Sequence, residues 1–257
     1  MNWDLGEYDH VAAQLSSASE VVVAQCDPQR HEHIIDLGCG TGNAALLLAR
    51  NCSHVRGVDP SSGLLQTARA RALTLGLDIE FLDGLAESIP ADDRSIDAIV
   101  SVFGLIFSND APATASEIDR VLRPQGRCVF SAWLPEGALA EQSRIRRVAV
   151  ANALGLPASP APFAWHNLND IRELFAPFGF STIIEHKELE FSALSTSAYL
   201  DAELDLHPLW VEAKEILEPL GSWNALREQV REIFTEANEN PDAFAITSRY
   251  IVATVTR

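Results

Sequence analysis

A glycine-rich turn is the first feature of the chain whose residue types point to chemistry. Residues 36–43 read DLGCGTGN and lie between a predicted buried strand and a predicted helix. Glycines at 38, 40 and 42 let backbone N–H groups approach a ligand without an intervening Cβ, at the positive end of the helix. A dinucleotide fingerprint would need glycine in place of Asn43, and the Asp36 carboxylate would repel phosphates. The turn therefore favours a ligand with an ammonium group over a pyrophosphate.

Two further carboxylates follow predicted strands. Asp59 closes the second strand, where a carboxylate can accept hydrogen bonds from both hydroxyls of a ribose, a feature shared with NAD-binding proteins. Asp83 follows the third strand and can accept a hydrogen bond from an exocyclic amine such as adenine N6. Backbone groups of Gly84 and Leu85 would complete the contact with that edge of the base.

The elements that must position these acids alternate between strand and helix. Apolar runs of strand length are separated by segments of helical periodicity, which include a helix capped by Ser61 or Ser62 and a helix over 113–122 that Pro124 stops. Single helices between strands imply parallel pairing through right-handed crossovers, and hence an α/β, doubly wound sheet. The predicted strands of this part are 33–37, 54–58, 78–82, 95–102 and 128–133.

The pattern changes after Trp133. Helical inserts are predicted at 137–165 and 195–240, the first containing a proline-rich segment at 156–162, and further strands at 182–191 and 250–256. No long linker separates them, so we expect a single domain over 1–257. The cofactor-binding core would span 30–135, with the two inserts as a substrate cap.

Four ordered motifs together resemble the class I S-adenosylmethionine-dependent methyltransferases. They are DLGCGTG at 36–42, GVDPS at 57–61, Asp83-Gly84, and RVLRPQGR at 120–127. The closest likeness is to the small-molecule type 11 group, similar to the ubiquinone/menaquinone-biosynthesis methyltransferases. The resemblance implies a Rossmann-like seven-stranded sheet, mostly parallel with an antiparallel last strand. It also implies methyl transfer from S-adenosyl-L-methionine to an O, N or C atom of a small molecule, with S-adenosyl-L-homocysteine as product.

The resemblance also assigns residues to parts of the cofactor. The methionine pocket would be shaped by Gly38, Cys39 and Gly40 with Asp36 near the amino group, and the ribose would be held by Asp59. Pro60 and Leu64 would flank the adenosine. The adenine would meet Asp83, Gly84 and Leu85, and the donor methyl would be lined by Ser101, Val102 and Phe103.

Composition excludes several other classes of function. The formal charge of −17 disfavours nucleic acid and anionic lipid, because both need Lys and Arg contacts. The segment Ser101-Val102-Phe103-Gly104 lacks the Asp/Asn-Pro-Pro-aromatic motif of nucleic-acid amino-methylating enzymes. The chain opens without a secretory pattern, and its longest apolar run, Ile96 to Phe107, is too short for a bilayer span. Four cysteines without a CxxC pair argue against disulfides and metal, so a cytoplasmic protein is expected.

The chain does not reveal a catalytic residue. Methyl transfer needs a general base only when the nucleophile starts protonated, and we assign none, although segments with His10, His166 and His207 could reach the site. We interpret Arg144, Arg146 and Arg147 as a solvated helix face, with contact to an anionic substrate as the alternative. Two readings stay open for the aromatic residues, an apolar substrate pocket or packing of the inserts. These residues are Trp133, Phe163, Trp165, Trp210 and Trp223.

Two alternatives to an active methyltransferase remain. A module that binds S-adenosylmethionine without catalysis, as a sensor or subunit, would carry the same motifs. An NAD-dependent oxidoreductase is disfavoured by Asn43 and Asp36. The methyl acceptor, the nature of its nucleophile and the formation of a homodimer are left open.

Overall fold

The computed structural model describes residues 3–157 and 162–257. The expectations for 158–161, part of the proline-rich segment and of the first insert, lie outside the described residues. The strands of the described chain are β1 (His33–Leu37), β2 (His54–Asp59), β3 (Glu80–Asp83), β4 (Ile96–Val102), β5 (Leu122–Trp133), β6 (Ser181–Ala193) and β7 (Phe244–Thr256). They form one seven-stranded sheet in the order β3-β2-β1-β4-β5-β7-β6.

The pairing confirms the predicted doubly wound, mostly parallel sheet. Strand β1 lies between β2 and β4, and the ladders β1–β2, β1–β4, β2–β3 and β4–β5 are all parallel. At the far edge, the hydroxyl of Ser181, the first residue of β6, donates to the carbonyl of Thr256, the last residue of β7. The start of one strand therefore meets the end of the other, which is the antiparallel arrangement expected for the last strand.

Helices follow most of the strands, whereas a loop without a helix, residues 84–95, joins β3 to β4. The helices of the described chain are α1 (Tyr8–Gln14), α2 (Ser16–Cys26), α3 (Asn43–Leu48), α4 (Ser62–Leu75), α5 (Ala111–Val121), α6 (Gly137–Ala153), α7 (Leu168–Phe175), α8 (Thr196–Leu206), α9 (Pro208–Leu217) and α10 (Trp223–Glu236). Ser61 caps α4, since its Oγ accepts a hydrogen bond from the N–H of Leu64 at 3.1 Å. Of the two serines proposed as the cap, the structure selects Ser61.

Contacts divide the chain into two compact units. The sheet unit comprises 15–132, 162–187 and 250–257, and the helical unit comprises described residues of 1–14, 133–161 and 188–249. The sheet unit is built on β1 and β4, which are buried because a parallel sheet is covered on both faces. Ile35, Ile99 and Val100 in these strands are fully buried.

Aromatic residues form the core of the helical unit. Tyr199 stacks on Phe244 with ring centroids 4.5 Å apart and also contacts Phe234 at 5.2 Å. Trp210 and Trp223 meet at 6.2 Å, and both are buried. Packing within their own unit thus accounts for these two tryptophans. In the sheet unit, buried Trp165 packs edge-on against Phe130.

Strand β5 begins earlier than the sequence predicts. Leu122, expected to end a helix, pairs with Ile96, and Pro124 lies within the strand. The register between β4 and β5 shifts after that pair, at Ile96/Ala98, and such irregular pairing tolerates a residue without an N–H donor. Strand β7 likewise begins at Phe244 where the sequence predicts a strand only from Tyr250.

The four cysteines do not have the properties of reactive thiols. All four are free thiols with buried side chains, as the lack of a CxxC pair predicts. Burial raises the pKa of Cys26 to about 11, which suppresses the reactive thiolate. Across the described ranges, His, Cys, Asp and Glu side chains do not gather into a metal-binding group of three or more. No helix in the same ranges has the length and apolar character needed to cross a membrane.

Candidate functional site

The glycine-rich turn lies at the carboxyl end of β1. Gly38, Gly40 and Gly42 have φ angles of +70°, +53° and +88°, a left-handed region that glycine enters without steric cost. The N–H groups of Gly38 and Cys39 both donate to the carbonyl of Val58, at 2.8 and 3.0 Å. The turn is therefore fastened to the end of β2, and it leads directly into α3.

The Asp59 carboxylate joins this turn to the next one. Its Oδ2 accepts a hydrogen bond from the N–H of Gly40 at 2.9 Å, and its Oδ1 accepts one from the N–H of Ser61, also at 2.9 Å. Asp59 is the last residue of β2 and is 6% exposed. One carboxylate thus organises both the turn after β1 and the turn before α4, as a carboxylate with about four lone-pair sites is able to do.

Asp36 lies beneath the turn and is almost completely buried. Its Oδ2 accepts a hydrogen bond from the N–H of Ala45, in the first turn of α3, at 2.9 Å. Burial raises the pKa of Asp36 to about 7, and the nearby charge of Asp59 adds to the rise. A cationic group brought next to Asp36 would therefore gain from its ionisation.

The end of β3 contributes exposed groups. Asp83 is paired in register with Asp59 on the neighbouring strand and is exposed to solvent. Leu85 follows two residues later with half of its surface exposed. The N–H of Gly84 lies 3.4 Å from the carbonyl of Asp59, at the limit of a hydrogen bond. The structure brings Asp83, Gly84 and Leu85 to the same sheet edge as Asp59.

The residues at the end of β4 mainly hold the neighbouring backbone segments in place. The hydroxyl of fully buried Ser101 donates to the carbonyl of Leu37 at 2.6 Å and accepts from the N–H of Leu105 at 3.1 Å. Val102 is half-buried. Phe103 adopts φ +55°, unusual for a residue with a Cβ, and its N–H donates to Ser131 Oγ. Backbone strain of this kind is found at ligand sites when surrounding contacts enforce it.

Pro60 and Leu64 occupy the turn into α4. Pro60 is exposed and Leu64 is buried on the inner face of α4. All thirteen residues proposed for the cofactor thus belong to the sheet unit, at or next to the carboxyl ends of β1 to β4.

One polar contact of this edge was missed from the sequence. Nη1 of Arg71, in α4, donates to the carbonyl of Thr41 at 2.8 Å, to its Oγ1 at 2.9 Å and to Oδ1 of Asn43 at 3.0 Å. Arg71 therefore braces the glycine-rich turn from the neighbouring helix. Nothing in the local sequence signals this, because the partners are about thirty residues apart and meet only through the β1–α3–β2–α4 fold.

The histidines that could have served as bases are divided between the units. His166 belongs to the sheet unit, where burial lowers its pKa. His10 and His207 belong to the helical unit. Burial lowers the pKa of His207 to about 4, and its Nδ1 accepts a hydrogen bond from the N–H of Leu209. None of these contacts assigns a catalytic residue.

Comparisons with known proteins agree with this geometry. Residues 35–130 match the model of a family described as a methyltransferase domain, type 11. A demethylmenaquinone methyltransferase of Thermotoga maritima is 40% identical over 106 residues, which are 40% of this chain and 44% of that protein. The chain spans about half the length, or less, of the curated relatives that head the comparison.

Solved structures extend the likeness to nearly the whole fold. The YcgJ protein of Bacillus subtilis superposes with a TM-score of 0.65 at 17% identity, covering 94% of this chain and 98% of that one. Geranyl diphosphate methyltransferase, solved in complex with S-adenosylmethionine, gives a TM-score of 0.53 at 16% identity, covering 94% and 85% of the two chains. Residues 35–130, with Asp36, Asp59 and Asp83 at or next to successive strand ends, carry the match to the methyltransferase domain, and the fold of the chain is that of the class I, S-adenosylmethionine-dependent methyltransferases.

Proposed function

We propose that this protein transfers a methyl group from S-adenosyl-L-methionine to an O, N or C atom of a small molecule. The observation that carries the proposal is the Asp59 carboxylate, which links the glycine-rich turn to the start of α4 at the carboxyl edge of the sheet. Ligands of open α/β sheets bind at this edge. The bound cofactor would supply a methyl group on a positively charged sulfur, which is open to direct attack by a nucleophile.

The residues present fit this cofactor. The buried Asp36 carboxyl suits the ammonium group, and Asp59, with two backbone donors already aligned, suits the ribose hydroxyls. The exposed Asp83 and the half-exposed Leu85 offer one polar and one apolar contact for adenine. The cofactor residues that we propose are Asp36, Gly38, Cys39, Gly40, Asp59, Pro60, Leu64, Asp83, Gly84, Leu85, Ser101, Val102 and Phe103.

We propose that the side chain of Ser101 supports this site and does not itself contact the cofactor. Its hydroxyl is committed to the carbonyl of Leu37 and the N–H of Leu105, so it holds the ends of β1 and β4 together. We propose that Val102 and Phe103 then form the wall beside the reactive methyl group. Alignment and exclusion of water by such a wall can supply much of the rate of a direct displacement.

The acceptor is proposed to be a small molecule in a cytoplasmic setting. The net charge of −17 opposes binding to nucleic acid or to an anionic membrane surface. We propose that the inserts 137–165 and 195–240, within a single domain 1–257 around the core 30–135, act as the substrate cap.

Thermal unfolding with added ligands tests the cofactor. A ligand at about 100 times its Kd stabilises the native state by roughly 2.7 kcal/mol, which is a measurable shift in Tm. We expect shifts with S-adenosylmethionine and S-adenosylhomocysteine and none with NAD. A shift with NAD alone would refute the proposal in favour of an oxidoreductase.

A screen of candidate acceptors then tests catalysis. Release of S-adenosylhomocysteine in the presence of one acceptor class, and not in its absence, is the expected result. Cofactor binding without release across O-, N- and C-nucleophile classes would support a sensor or subunit instead.

A further inference from the structure

The loop that joins β3 to β4, residues 84–95, is fastened to α5 near both ends of that helix. Near the start of α5, Oε1 of Glu87 accepts hydrogen bonds from the N–H groups of Asn109 at 2.6 Å and of Asp110 at 3.2 Å. The hydroxyl of Ser108 donates to the same oxygen at 3.1 Å. Because the loop contains no regular helix or strand, its position depends on contacts of this kind.

Arg120, near the end of α5, holds the middle of the same loop. Its Nη1 donates to the carbonyl of Ala91 at 2.7 Å, and its Nη2 donates to the carbonyl of Ile89 at 2.9 Å. The guanidinium also pairs with Asp93 at 2.8 Å and, through Nε, with Glu117 one turn earlier in α5 at 2.7 Å. Arg120 is the first residue of the RVLRPQGR motif, which supplies none of the residues proposed for the cofactor. It binds three residues of the loop at once.

Ile89 is held by α5 through both of its backbone polar groups. Its N–H donates to Oε2 of Glu117 at 2.8 Å, while its carbonyl accepts a hydrogen bond from Arg120. The same Glu117 oxygen accepts from Nη2 of Arg120 at 2.8 Å, so the two charged side chains fix each other. The side chain of Ile89 is 3% exposed. Charge-assisted hydrogen bonds and packing therefore determine together where this residue lies.

Pro90 connects this anchored residue to Gly84. A Cβ at residue 84 would lie 2.8 Å from Cδ of Pro90 and 2.9 Å from Cγ1 of Val58. Gly84 is thus enclosed between its own loop and β2, at a distance that only a residue without a side chain allows. Pro90 directly follows Ile89 and has a fixed φ, so a displacement of Ile89 would move the surface that Gly84 contacts.

We propose that Arg120 is a positioning residue for recognition of the adenine base. It acts on Gly84 through Ile89 and Pro90, and all four residues belong to the sheet unit. The inference rests on the proposed function, which places the adenine at Gly84 and its two neighbours in sequence. It adds a role for the RVLRPQGR motif, whose first residue holds the adenine-binding loop without contacting the cofactor.

A loop held in one position should make the site selective for adenine over hypoxanthine. The exocyclic amine of adenine can donate to the Asp83 carboxylate, whereas hypoxanthine has a carbonyl oxygen at that position, which the carboxylate repels. A fixed site rejects the wrong base because a polar group is left unpaired, while a loosened site can shift to avoid the mismatch. The ratio of the two affinities therefore reports on the position of the loop.

S-adenosylhomocysteine and S-inosylhomocysteine differ only in the base, and calorimetric titration with both measures this ratio. We expect the protein to bind S-adenosylhomocysteine about tenfold or more tightly, the value of a hydrogen bond to a charged group. In Arg120→Gln this preference should fall to roughly threefold or less, because the loop loses its donors. Arg120→Lys keeps the charge beside Glu117 and should retain more of the preference than Arg120→Gln does. A loss of stability alone would weaken both ligands by the same factor and leave the ratio unchanged.

Arg94→Gln is the matched control. Nη1 of Arg94 donates to the carbonyl of Asp119 at 2.7 Å and to that of Leu122 at 2.9 Å. Arg94 thus fastens the same loop to the end of the same helix, at the opposite end of the loop from Gly84. We expect Arg94→Gln to keep the preference of the unchanged protein, even where its Tm falls.

Three results would overturn the positioning role alone. They are an undiminished preference in Arg120→Gln, equal weakening of both ligands in that variant, or an equal loss of preference in Arg94→Gln. Should Arg120→Gln fail to fold, Pro90→Ala leaves the contacts of Arg120 in place, removes the ring that meets Gly84 and should lower the preference in the same way. Failure of the unchanged protein to bind either ligand would refute the proposed function, and this inference with it.

Discussion

The backbone N–H of Gly40 donates to Oδ2 of Asp59 over 2.9 Å, across nineteen residues of sequence. The other oxygen of the same carboxylate accepts from the N–H of Ser61. Asp59 thus performs a structural task before any ligand binds, because it sets the position of the glycine-rich turn relative to α4. The same residue is proposed to hold the ribose, so stability and cofactor affinity are coupled at this position.

Asp59→Asn should lower both the stability of the protein and its affinity for the cofactor. An amide has one acceptor oxygen, so its NH₂ group would face either Gly40 N–H or Ser61 N–H. We expect a loss of about 1–3 kcal/mol in the free energy of unfolding, the usual cost of an unsatisfied buried group. Binding of S-adenosylhomocysteine, measured by calorimetry, should weaken about tenfold or more.

Asp83→Asn is the matched control for that experiment. Asp83 is exposed, and a surface substitution usually changes stability by less than about 0.5 kcal/mol. We therefore expect weaker S-adenosylhomocysteine binding with an almost unchanged unfolding midpoint. Full cofactor affinity in Asp59→Asn would contradict the assignment of the ribose to this carboxylate.

Asp36 should make the stability of the protein depend on pH. Its pKa rises to about 7 in the native state from an ordinary 3.8, so the native state holds this proton more tightly than the unfolded chain. The stabilisation is complete below pH 4 and is lost as pH rises towards 7, with an upper bound on the order of 4 kcal/mol.

Asp36→Asn removes this titration and can still accept a hydrogen bond from Ala45. The difference in unfolding free energy between variant and wild type, measured in urea, should therefore change steadily between about pH 4 and 7 and then level off. Glu203→Gln is a useful companion, because Glu203 shifts in the same direction within the helical unit. A constant difference for Asp36→Asn over this range would show that Asp36 has an ordinary pKa.

Gly104→Ala should disturb the junction between β1 and β4. A Cβ at residue 104 would lie 2.8 Å from the carbonyl oxygen of Leu37, 2.8 Å from Ser101 Oγ and 3.0 Å from the Cα of Gly38. Two of these atoms are backbone and have little room to move, so we expect a loss of roughly 1–3 kcal/mol in thermal unfolding and weaker cofactor binding.

Gly76→Ala is the control that separates the steric clash at residue 104 from the cost of placing alanine in a left-handed backbone conformation. Gly76 ends α4 with φ +65°, and a Cβ there meets nothing within 4 Å. We expect a cost of about 1 kcal/mol from the left-handed conformation and no change in S-adenosylhomocysteine affinity. Equal effects of the two alanines on cofactor binding would argue that Gly104 does not shape the site.

Arg71→Gln should loosen the glycine-rich turn without removing a proposed cofactor contact. Three hydrogen bonds from Nη1 to Thr41 and Asn43 would be lost or weakened. We expect S-adenosylhomocysteine to bind roughly three- to tenfold more weakly by calorimetry, since the turn must then be ordered on binding. Arg50→Gln, a change at an exposed arginine after α3, should have no such effect. Identical affinities in both variants would assign Arg71 to stability only.

The local sequence pattern was sufficient to predict which strand ends and turns form the cofactor site. Each of the signals involved spans only a few residues of sequence. These signals are the spacing of the apolar runs, the glycines between β1 and α3, and the serine that caps α4. For that reason Asp36, Asp59 and Asp83 could be placed at strand ends, and the parallel pairing of those strands brings the acids to one edge. The family resemblance rests on the same short motifs and reaches the same segment, 35–130.

Only the tertiary structure decided the roles of residues whose contact partners are distant in sequence. Pro124 lies in a strand because Leu122 pairs with Ile96 of β4, although its local sequence reads as a helix end. Ser101 is a scaffold residue because its hydroxyl meets Leu37, sixty-four positions earlier. The guanidinium carbon of Arg146 lies 5.8 Å from the ring centre of Trp210, on a helix that follows sixty-four residues later. Desolvation and hydrogen-bond partners are properties of the folded neighbourhood, so a pattern read along the chain does not contain them.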